Sequence, residues 1–596
     1  MGQIPVLSCE HVSFCYPRQT VDAIHDISFA MKGSEFVVLC GQSGCGKTTL
    51  LRHFKKNQIP FGSGSGHIYY RGHDLEQMDD RECAARIGYV GQNSDTGLVT
   101  DKVWHELAFG LENLGVPGEQ IRRRAAEIAQ YFGMETWFHK RVSELSGGQK
   151  QILNLASVVI MQPEVLLLDE PTAQLDPIGA RRFLDTLVQL NRDMGTAVLL
   201  SEQRLEEVVP LADRVLILQE GRLVGDVLPQ RCGDVLSEYE REHGTCLPIA
   251  SAMPVAVKVW QACHEDGEKE SPVSIREGRG WLQERVRKMG QKERCHRSLD
   301  KLPDTKTGKK SDAGPSGLLV AGKERGKQTE QTALLAEHLS FSYEKGQRVL
   351  NDFSLQVPKG SIFAILGGNG SGKSTALKVM MGIYKQHRGK VKAHGKVRYL
   401  AQNPRSLFTE LTVEEELAVM LSGDVLEADI AGIVGKPDVI SGQETLGSDL
   451  IEGLLSYLEL TPQREQNPMD LSGGQQQRLA MGKLLLTDPD ILLLDEPTKG
   501  LDGAFKEKLA ALLKDLCQKG KTIVLVSHDM AFCAEYADTC GLLFDGQMIS
   551  QEKTRTFFRE NVFYTTPAAR MAQGILPDCF RAEDMVHVLQ KAGAGG

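Results

Sequence analysis

The 596-residue chain is written as two similar halves, and this duplication constrains its fold more than any other feature. Two glycine-rich motifs, GQSGCGKTT and GGNGSGKST, each follow a short aliphatic run, and their lysines, Lys47 and Lys373, lie 326 positions apart. The motif LSGGQ recurs at the same spacing, starting at Leu145 and at Leu471. Because several motifs recur in one order at one spacing, the sequence predicts two similar domains in tandem.

Each half alternates short aliphatic runs with segments of helical period, which predicts an α/β fold with a mainly parallel sheet. FVVLC, the glycine-rich turn and KTTLLRHF read as strand, loop and helix, and the second half repeats this order. VLLLDE and ILLLDE are continuous apolar runs that end in acids, a pattern typical of strands buried on both faces. We therefore expect a P-loop NTPase domain in each half.

Changes in composition divide the chain further. From about Lys288 to Thr332 it is rich in Lys, Gly, Ser and Asp and poor in aliphatic residues, which predicts a flexible linker. The predicted parts are a first P-loop domain (1–222), an accessory lobe of the first half (223–287), the linker (288–332), a second P-loop domain (333–550) and a C-terminal helical extension (551–596). The sequence does not indicate what the accessory lobe does.

Composition also bears on the partners of the chain. The hydrophobic share of 41% and the charged share of 25% are those of a soluble globular protein. A net charge of -9 gives no basic footprint, so nucleic acid is not expected as the main partner. No apolar run approaches the roughly 20 residues that span a bilayer, and MGQIPVLSCE does not read as a signal peptide. We therefore expect a cytosolic protein.

The glycine-rich motifs match GxxxxGK[ST], in which backbone N–H groups and a helix N-terminus surround phosphate oxygens. Lys47 and Lys373 are predicted to neutralise the β- and γ-phosphates of ATP, and Thr48 and Ser374 to ligate Mg²⁺. The other loop residues predicted to contact ATP are Gly41, Ser43, Gly44, Gly46 and Thr49 in the first half and Gly367, Asn369, Gly370, Gly372 and Thr375 in the second.

The acid pairs that end the buried strands predict hydrolytic chemistry. Asp169 and Asp495 are placed to hold Mg²⁺, and Glu170 and Glu496 to activate the attacking water as general bases. The alternative is that Asp-Glu-Pro only ends a strand and caps a helix. Repetition of the acid pair at one distance after LSGGQ favours the catalytic interpretation.

Together the phosphate loop, LSGGQ, the acid pair and a following Leu-Asp turn resemble the ATP-binding cassette (ABC) ATPases over nearly all of both halves. The resemblance implies a helical signature subdomain in each cassette and head-to-tail pairing of the two halves, so that each ATP lies between one phosphate loop and the LSGGQ of the other half. Further residues are implied to complete the ATP and Mg²⁺ sites: Ser146, Gly147 and Gly148 for the second site, Ser472, Gly473 and Gly474 for the first, Tyr16 and Tyr343 against adenine, Gln92 and Gln402 at Mg²⁺ and water, and Asp176 and Asp502 in the turns between the sites.

The two halves differ where this family carries a histidine after the strand that follows the acid pair. His528 in VSHDM matches that position. At the strict spacing Glu202 would correspond to it, but family members similar to the first half read Ser-Glu-His-Arg, which makes Gln203 the better match. Glutamine cannot move a proton near neutral pH. We therefore expect a fast site with Lys373, Glu496 and His528, and a slow first site.

The glutamine loops, YVGQNSDTGL and YLAQNPRSLF, resemble those of the energy-coupling-factor (ECF) importers of vitamins and metal ions. The C-terminal ENVFYTTPAARM resembles the extension of fused, two-cassette members of that group. This implies a peripheral motor on the cytoplasmic face of the membrane, with a transmembrane coupling subunit and a substrate-binding membrane subunit on separate chains. The implied coupling residues are Asn93, Ser94, Asp95 and Leu98 in the first half and Asn403, Pro404 and Leu407 in the second. A soluble tandem-cassette factor acting on ribosomes and the fused ATPase of a sugar importer remain as alternatives.

Overall fold

The computed structural model describes residues 4–17, 19, 21–92, 97–173, 175–264, 270–288, 332–343, 348–421, 443–501 and 503–593. They belong to two compact units, Met1–Gly278 with Leu501–Phe505 and Arg279–Gly500 with Lys506–Gly596. Most of the predicted linker, the predicted coupling residues Asn93, Ser94 and Asp95, and Asp502 lie outside the described residues.

The first unit alternates strands and helices as the sequence predicts. Its strands are β1 Leu7–Cys15, β2 Ile24–Met31, β3 Phe36–Gly41, β4 Ser63–Tyr70, β5 His73–Asp74, β6 Ile87–Val90, β7 Val165–Asp169, β8 Ala197–Ser201, β9 Arg214–Gln219 and β10 Arg222–Val227. Its helices are α1 Lys47–His53, α2 Asp80–Arg86, α3 Val103–Asn113, α4 Gly118–Tyr131, α5 Gly147–Val159, α6 Pro177–Met194, α7 Leu205–Val208, α8 Cys232–His243 and α9 Val255–Cys263; α10 Ile275–Lys288 follows and crosses the boundary between the units.

A six-stranded sheet in the order β10-β9-β3-β8-β7-β6 forms the centre of the first unit. All neighbouring strands are parallel except β9 and β10. Every residue of β3, β7 and β8 is buried, as continuous apolar runs require when helices cover both faces of a sheet. The predicted mainly parallel α/β fold is therefore confirmed.

A second sheet, in the antiparallel order β2-β1-β4-β5, was not predicted from the sequence. Strand β2 alternates buried and exposed side chains, because one face packs on the core and the other faces water. Its buried residues share an apolar cluster with β3 and with Leu50 and Leu51 of α1. This sheet thus supports the helix that follows the first phosphate loop.

Helices α3, α4 and α5 form a separate helical layer with its own apolar core, which includes Val103, Leu107, Ala125 and Leu153. Helix α5 begins directly after Ser146 of LSGGQ. The helical subdomain implied for this motif is therefore present in the first unit.

The second unit repeats the same plan. Its strands are β11 Thr332–Ser342, β12 Arg348–Pro358, β13 Ile362–Leu366, β14 Arg388–Ala393, β15 Val397–Leu400, β16 Ile491–Asp495, β17 Thr522–Val526, β18 Thr539–Phe544 and β19 Gln547–Lys553. Its helices are α11 Lys373–Met381, α12 Val413–Leu421, α13 Gln443–Tyr457, α14 Gly473–Leu485, α15 Gly503–Gln518, α16 Met530–Tyr536, α17 Thr554–Glu560, α18 Pro567–Ala572 and α19 Ala582–Gly593. The sheets have the orders β15-β16-β17-β13-β18-β19 and β12-β11-β14.

The motifs of the two halves share one spacing of 326 because two differences in segment length cancel. From the loop lysine to the loop glutamine there are 45 positions in the first half (47 to 92) and 29 in the second (373 to 402), a difference of 16. From that glutamine to the Gln of LSGGQ there are 57 (92 to 149) and 73 (402 to 475), again a difference of 16. The first half therefore has the longer segment before its glutamine loop, where α2 lies, and the second half has the longer segment between its glutamine loop and LSGGQ.

Two predicted domain boundaries fall inside elements. Strand β10 extends to Val227 and pairs with β9, so the sheet continues past residue 222. Strand β19 extends to Lys553 and pairs with β18, past residue 550. Beyond these strands lie α8 and α9 of the predicted lobe, with Trp260 buried, and α17–α19 of the predicted extension, with Phe557 and Phe558 buried. The sequence-based boundaries remain predictions.

One buried glutamate recurs in both helical subdomains. Glu106 of α3 is 4% exposed and accepts hydrogen bonds from the backbone N–H groups of Val99 (3.0 Å) and Thr100 (2.7 Å). Glu416 of α12 is fully buried and accepts the N–H of Glu410 at 2.7 Å. In each unit the carboxylate fixes the end of the glutamine loop on the helical layer.

We predict that Glu106→Ala lowers the free energy of unfolding by about 1–3 kcal/mol, because it leaves buried backbone donors without an acceptor. Denaturant titration of the full chain measures the effect. The matched control is Glu112→Ala, an exposed position on the same helix. Equal stability of the two variants would contradict the assigned role of Glu106.

Candidate nucleotide sites

Each phosphate loop connects a buried strand to a helix at the carboxyl edge of the central sheet. The first loop joins β3 to α1 and the second joins β13 to α11. Gly46 (φ 103°) and Gly372 (φ 100°) precede the helices in left-handed backbone. A Cβ on Gly372 would also lie 2.8 Å from the carbonyl oxygen of Val349. Glycine is therefore required at the helix start for two independent reasons.

The loop lysines are buried and turn back onto their own loops. Lys47 Nζ donates to the carbonyl oxygens of Gly41 (2.9 Å) and Gln42 (2.8 Å). Lys373 Nζ donates in the same way to Gly367 (2.9 Å) and Gly368 (2.8 Å). These ammonium groups lie at the mouth of each loop, where they can transfer to phosphate oxygens.

Each strand-end aspartate accepts hydrogen bonds from two hydroxyl groups, an equivalent tyrosine in both units and a second donor that differs between them. Asp495 accepts hydrogen bonds from Ser374 Oγ at 3.0 Å and from Tyr399 Oη at 3.0 Å. Asp169 accepts them from Ser201 Oγ at 2.8 Å and from Tyr89 Oη at 3.3 Å. The two tyrosines were missed by the sequence analysis, although each stands three positions before a predicted loop glutamine.

The donor set of the second site fits Mg²⁺. Ser374 and Asp495 bring a hydroxyl and a carboxylate oxygen together, and Mg²⁺ at phosphates is held by such hard oxygen ligands, water and the nucleotide. Thr48 and Asp169 lie at the corresponding positions of the first unit. Among the described residues there is no cluster of three or more His, Cys, Asp or Glu side chains arranged for a metal ion.

Both candidate general bases adopt strained backbone. Glu170 has φ 45° and Glu496 has φ 54°, which places two non-glycine residues in the left-handed region. Their N–H groups donate to Ser201 O (3.0 Å) and Val526 O (2.9 Å) across the sheet edge. Such strain persists where the surrounding structure fixes it, and it is concentrated at functional sites.

Burial sets the charge state of these glutamates. Desolvation raises the pKa of Glu170 and of Glu496 to about 7, against the lowering effect of the nearby loop lysines. Lys47 Nζ lies 3.9 Å from Glu170 Oε1. Each carboxyl group is thus poised to exchange a proton near neutral pH.

His528 and Gln203 both lie at the carboxylate of a candidate base. His528 Nε2 lies 3.3 Å from Glu496 Oε1 and 3.1 Å from Asn369 Oδ1 of the loop. Gln203 Nε2 donates to Glu170 Oε1 at 2.8 Å, and Gln92 Nε2 donates to the other oxygen at 3.1 Å. Gln203 thus forms a side-chain hydrogen bond with its base, whereas the imidazole of His528 lies beside Glu496 and the backbone N–H of His528 donates to Glu496 Oε2 at 3.2 Å.

Strand register explains why Gln203, and not Glu202, takes this place. Asp169 pairs with Ser201, whereas Asp495 pairs with Val526, so the equivalent positions beyond this strand differ by 325 and not by 326. The first half has one more residue before the strand. Glu202 consequently corresponds to Ser527 and is buried, where its Oε1 accepts the hydroxyl of Thr172 at 2.6 Å.

The predicted adenine-stacking tyrosines lie at the start of the loop helices. Tyr16 Oη is 3.0 Å from Thr49 Oγ1, and Tyr343 Oη is 2.9 Å from Thr375 Oγ1. Tyr343 is 54% exposed, which leaves its ring available to a base. The hydroxyl contacts hold both rings beside the phosphate loops.

The signature serines cap their helices in both units. Ser146 Oγ accepts the N–H of Gln149 at 3.3 Å while Gln149 Oε1 accepts the N–H of Ser146 at 2.9 Å, and Ser472 makes the same capping box. A Cβ on Gly147 or Gly473 would meet no atom within 4 Å. Packing inside its own unit therefore does not require glycine at either position.

In each unit the turn after the acid pair lies close to the LSGGQ motif of the same unit. A Cβ on Gly148 would lie 3.7 Å from Leu175, and one on Gly500 would lie 3.6 Å from the nitrogen of Gly474. Asp176 caps α6 by accepting the N–H of Gly179 at 2.7 Å. Its carboxylate is thus engaged in its own unit.

The second glutamine loop is attached to the signature helix α14. A single-turn helix, Pro404–Leu407, is capped by Asn403, whose Oδ1 accepts the N–H of Arg405 at 3.2 Å. Arg405 Nε donates to Gln476 Oε1 at 3.1 Å, and Lys483 Nζ donates to Leu407 O at 2.6 Å. In the first unit Leu98 packs against the core of the helical layer. No contact of Gln402 contributes to these attachments.

No helix in the described parts of the chain combines the length and the hydrophobicity that crossing a membrane requires.

Comparison with known proteins agrees with this geometry. The sequence model of the family described as ABC transporter matches residues 24–173 and 350–499. A protein of Bacillus anthracis with the provisional name ABC transporter ATP-binding protein is 37% identical over 595 residues, 98% of each chain.

Two solved structures are also similar to this chain. A chain from the complex of an archaeal ribosomal stalk protein and ribosome recycling factor covers 92% of this chain and is itself covered to 91%, with a TM-score of 0.56 and 19% identity, which shows the fold alone. CbiO1 from Clostridium perfringens, part of an ABC transporter complex, covers 40% of this chain and is covered to 96%, with 28% identity and a TM-score of 0.36. On the family match and the full-length relative, the chain belongs to the ABC transporter family and is a tandem ABC ATPase with two ATP-binding cassettes.

Proposed function

We propose that this tandem ATPase is the peripheral motor of an ECF-type importer for vitamins or metal ions, acting on the cytoplasmic face of the membrane. Its partners in this proposal are a transmembrane coupling subunit and a substrate-binding membrane subunit on separate chains. The observation that carries the proposal is the attachment of the single-turn helix Pro404–Leu407 to α14 through Arg405 and Lys483. A membrane subunit that grips this helix is thereby coupled to LSGGQ. The Bacillus anthracis relative, whose provisional name assigns it to transport, supports the same direction.

The two cassettes are proposed to pair head to tail, with each ATP between a phosphate loop and the opposite LSGGQ. Gly147 and Gly473 support this arrangement, because each lies in open space and a close approach of phosphate to the helix N-terminus is a physical reason for glycine there. The signature serines and glycines would contact the γ-phosphate of the other cassette's ATP. Mg²⁺, when bound at Ser374 and Asp495, neutralises phosphate charge.

In each site the glutamate is proposed to act as general base towards the attacking water. Glu496 takes the proton, and His528, in contact with both Glu496 and Asn369, orients the water and the terminal phosphate. Gln203 donates a hydrogen bond to Glu170 but cannot become cationic. The first site is therefore expected to bind ATP and to hydrolyse it slowly.

We predict that Glu496→Gln abolishes most single-turnover ATP hydrolysis whereas Glu170→Gln removes little, because the His528 site supplies the fast turnover. Quenched-flow measurement of both variants of the full chain tests this. Equal losses would refute the asymmetry.

Replacing His528 by glutamine, and Gln203 by histidine, provides matched variants for this test. His528→Gln is expected to slow the second site by about 10²–10⁴-fold, the usual effect of losing an acid/base group. Gln203→His should raise the slow phase of single turnover, since it restores the imidazole next to Glu170. If Gln203→His left the slow phase unchanged, the imidazole would not be what distinguishes the sites.

A pH dependence follows from the buried carboxyl group of Glu496. Its pKa of about 7 means that the base is protonated and inactive below this pH, so kcat/KM for MgATP is expected to fall as pH falls through about 7. The measurement uses the Glu170→Gln variant, in which the second site alone is active, at saturating Mg²⁺. A kcat/KM that stayed constant from about pH 6 to about pH 8 would contradict a general base with this pKa.

The importer assignment is tested by isolating the tagged full-length chain from detergent-solubilised membranes, with mass spectrometry of the associated proteins. We expect polytopic membrane subunits to be recovered with the wild-type chain. The Arg405→Ala variant should recover fewer of them while it still binds ATP. The matched control is Arg478→Ala, at an arginine of α14 itself, which pairs with Glu459 at 2.9 Å. Recovery of ribosomal proteins in place of membrane subunits would overturn the importer assignment.

A further inference from the structure

The C-terminal extension reaches the second phosphate loop through one tyrosine. Tyr564 lies in the segment between α17 and α18 and is half-buried. A methyl group placed on Gly368, the second residue of the loop, would lie 3.5 Å from Tyr564 Oη, and this hydroxyl oxygen is the atom that it would meet. The extension thus supplies a polar group directly beside the loop.

This part of the loop faces the hydrolytic end of the site. Gly368 O accepts the hydrogen bond of Lys373 Nζ at 2.8 Å. The next residue, Asn369, contacts His528 at 3.1 Å, and His528 lies 3.3 Å from Glu496. The Tyr564 hydroxyl is therefore next to the segment that must release Lys373 when the terminal phosphate binds.

Hydrogen bonds hold Tyr564 in place from both sides. Thr565 Oγ1 donates to Phe558 O at 2.8 Å, and Arg570 donates to Phe563 O at 2.9 Å. Thr566 caps α18 by accepting the N–H of Ala569 at 3.0 Å. A cavity of about 150 Å³ borders the same segment and is lined in part by Thr565 and Arg570. Thr565 and Thr566 are themselves buried, so these bonds fix the chain beside Tyr564.

The first loop carries a different residue at this position. Gln42 stands at the position of Gly368, at the common spacing of 326, and its carbonyl also accepts the loop lysine, at 2.8 Å. Gly368 does not have a positive φ, so its backbone does not demand glycine. A glutamine side chain at 368 would begin in contact with Tyr564, because its Cβ would lie 3.5 Å from the hydroxyl oxygen. Gly368 and Tyr564 are therefore neighbours in the second site, at a loop position where the first site carries Gln42.

We propose that Tyr564 is a positioning residue of the second nucleotide site. Its hydroxyl group braces the phosphate loop at Gly368 in the arrangement that accepts ATP, so the packing of the C-terminal extension sets the ATP affinity of the Lys373 site. The proposal rests on ATP binding by the second cassette; it is independent of the importer assignment and of the unequal rates.

The test is Tyr564→Phe, which keeps the ring and removes the hydroxyl group. In the full chain with Lys47→Ala, which silences the first site, binding of a fluorescent ATP analogue is expected to weaken about 3–10-fold, the size expected for losing one polar contact beside the loop. The rate constant of single turnover at saturating ATP should remain within about twofold, because the general base is untouched. In the full chain with Lys373→Ala, Tyr564→Phe should leave binding at the first site unchanged.

The reciprocal variant is Gly368→Gln, which introduces the residue that the first loop already carries. It should weaken ATP binding at the second site, and Tyr564→Ala should restore part of that loss by freeing the space. Wild-type ATP affinity in Tyr564→Phe, or equal weakening at both sites, would overturn the proposal. If the full chain carrying only Lys47→Ala bound no ATP, the assumption that the second cassette binds ATP would be wrong. The role proposed for Tyr564 would then be wrong as well.

Discussion

The catalytic arrangement depends on the parallel pairing of the strand that ends in the acid pair with the strand beside it. In the first unit Asp169 pairs with Ser201, and the next N–H, that of Glu170, bonds Ser201 O at 3.0 Å. This last bond holds Glu170 in left-handed backbone, with φ 45°. The side chain is thereby fixed near Lys47. Because parallel strands end at the same edge, the loop that follows β3 arrives at the same place.

The same backbone supports two different sets of side chains. One extra residue before the strand in the first half places a glutamine beside one candidate base where the second half has a histidine. The residue before each is turned inward. In the first unit that inward residue is Glu202, whose burial raises its pKa and whose carboxylate bonds Thr172. In the second it is Ser527, 3.3 Å from Thr498. Backbone geometry is thus shared, whereas the capacity for proton transfer differs.

The extension adds a difference that the duplicated motifs do not reveal. Gly368 and Gln42 stand at equivalent positions, yet only Gly368 has the Tyr564 hydroxyl beside it. A tandem protein can therefore give its two loops different surroundings by means of a segment outside the repeat. Together with the exchange of His528 for Gln203, this surrounds the two loops with different side chains on one fold.

The sequence by itself determined the α/β class, the two phosphate loops and the acid pairs, because these depend on local patterns: apolar runs, glycines at fixed offsets and acids at strand ends. Only the tertiary structure revealed the antiparallel sheets, Tyr89 and Tyr399 on the aspartates, and Tyr564 beside Gly368. Contacts between residues about 80 to 200 positions apart depend on strand order and register. The offset of 325 beyond the acid strand shows both sides: the motif already favoured Gln203, but only the pairing of Asp169 with Ser201 and of Asp495 with Val526 shows that an extra residue before the strand is the physical reason.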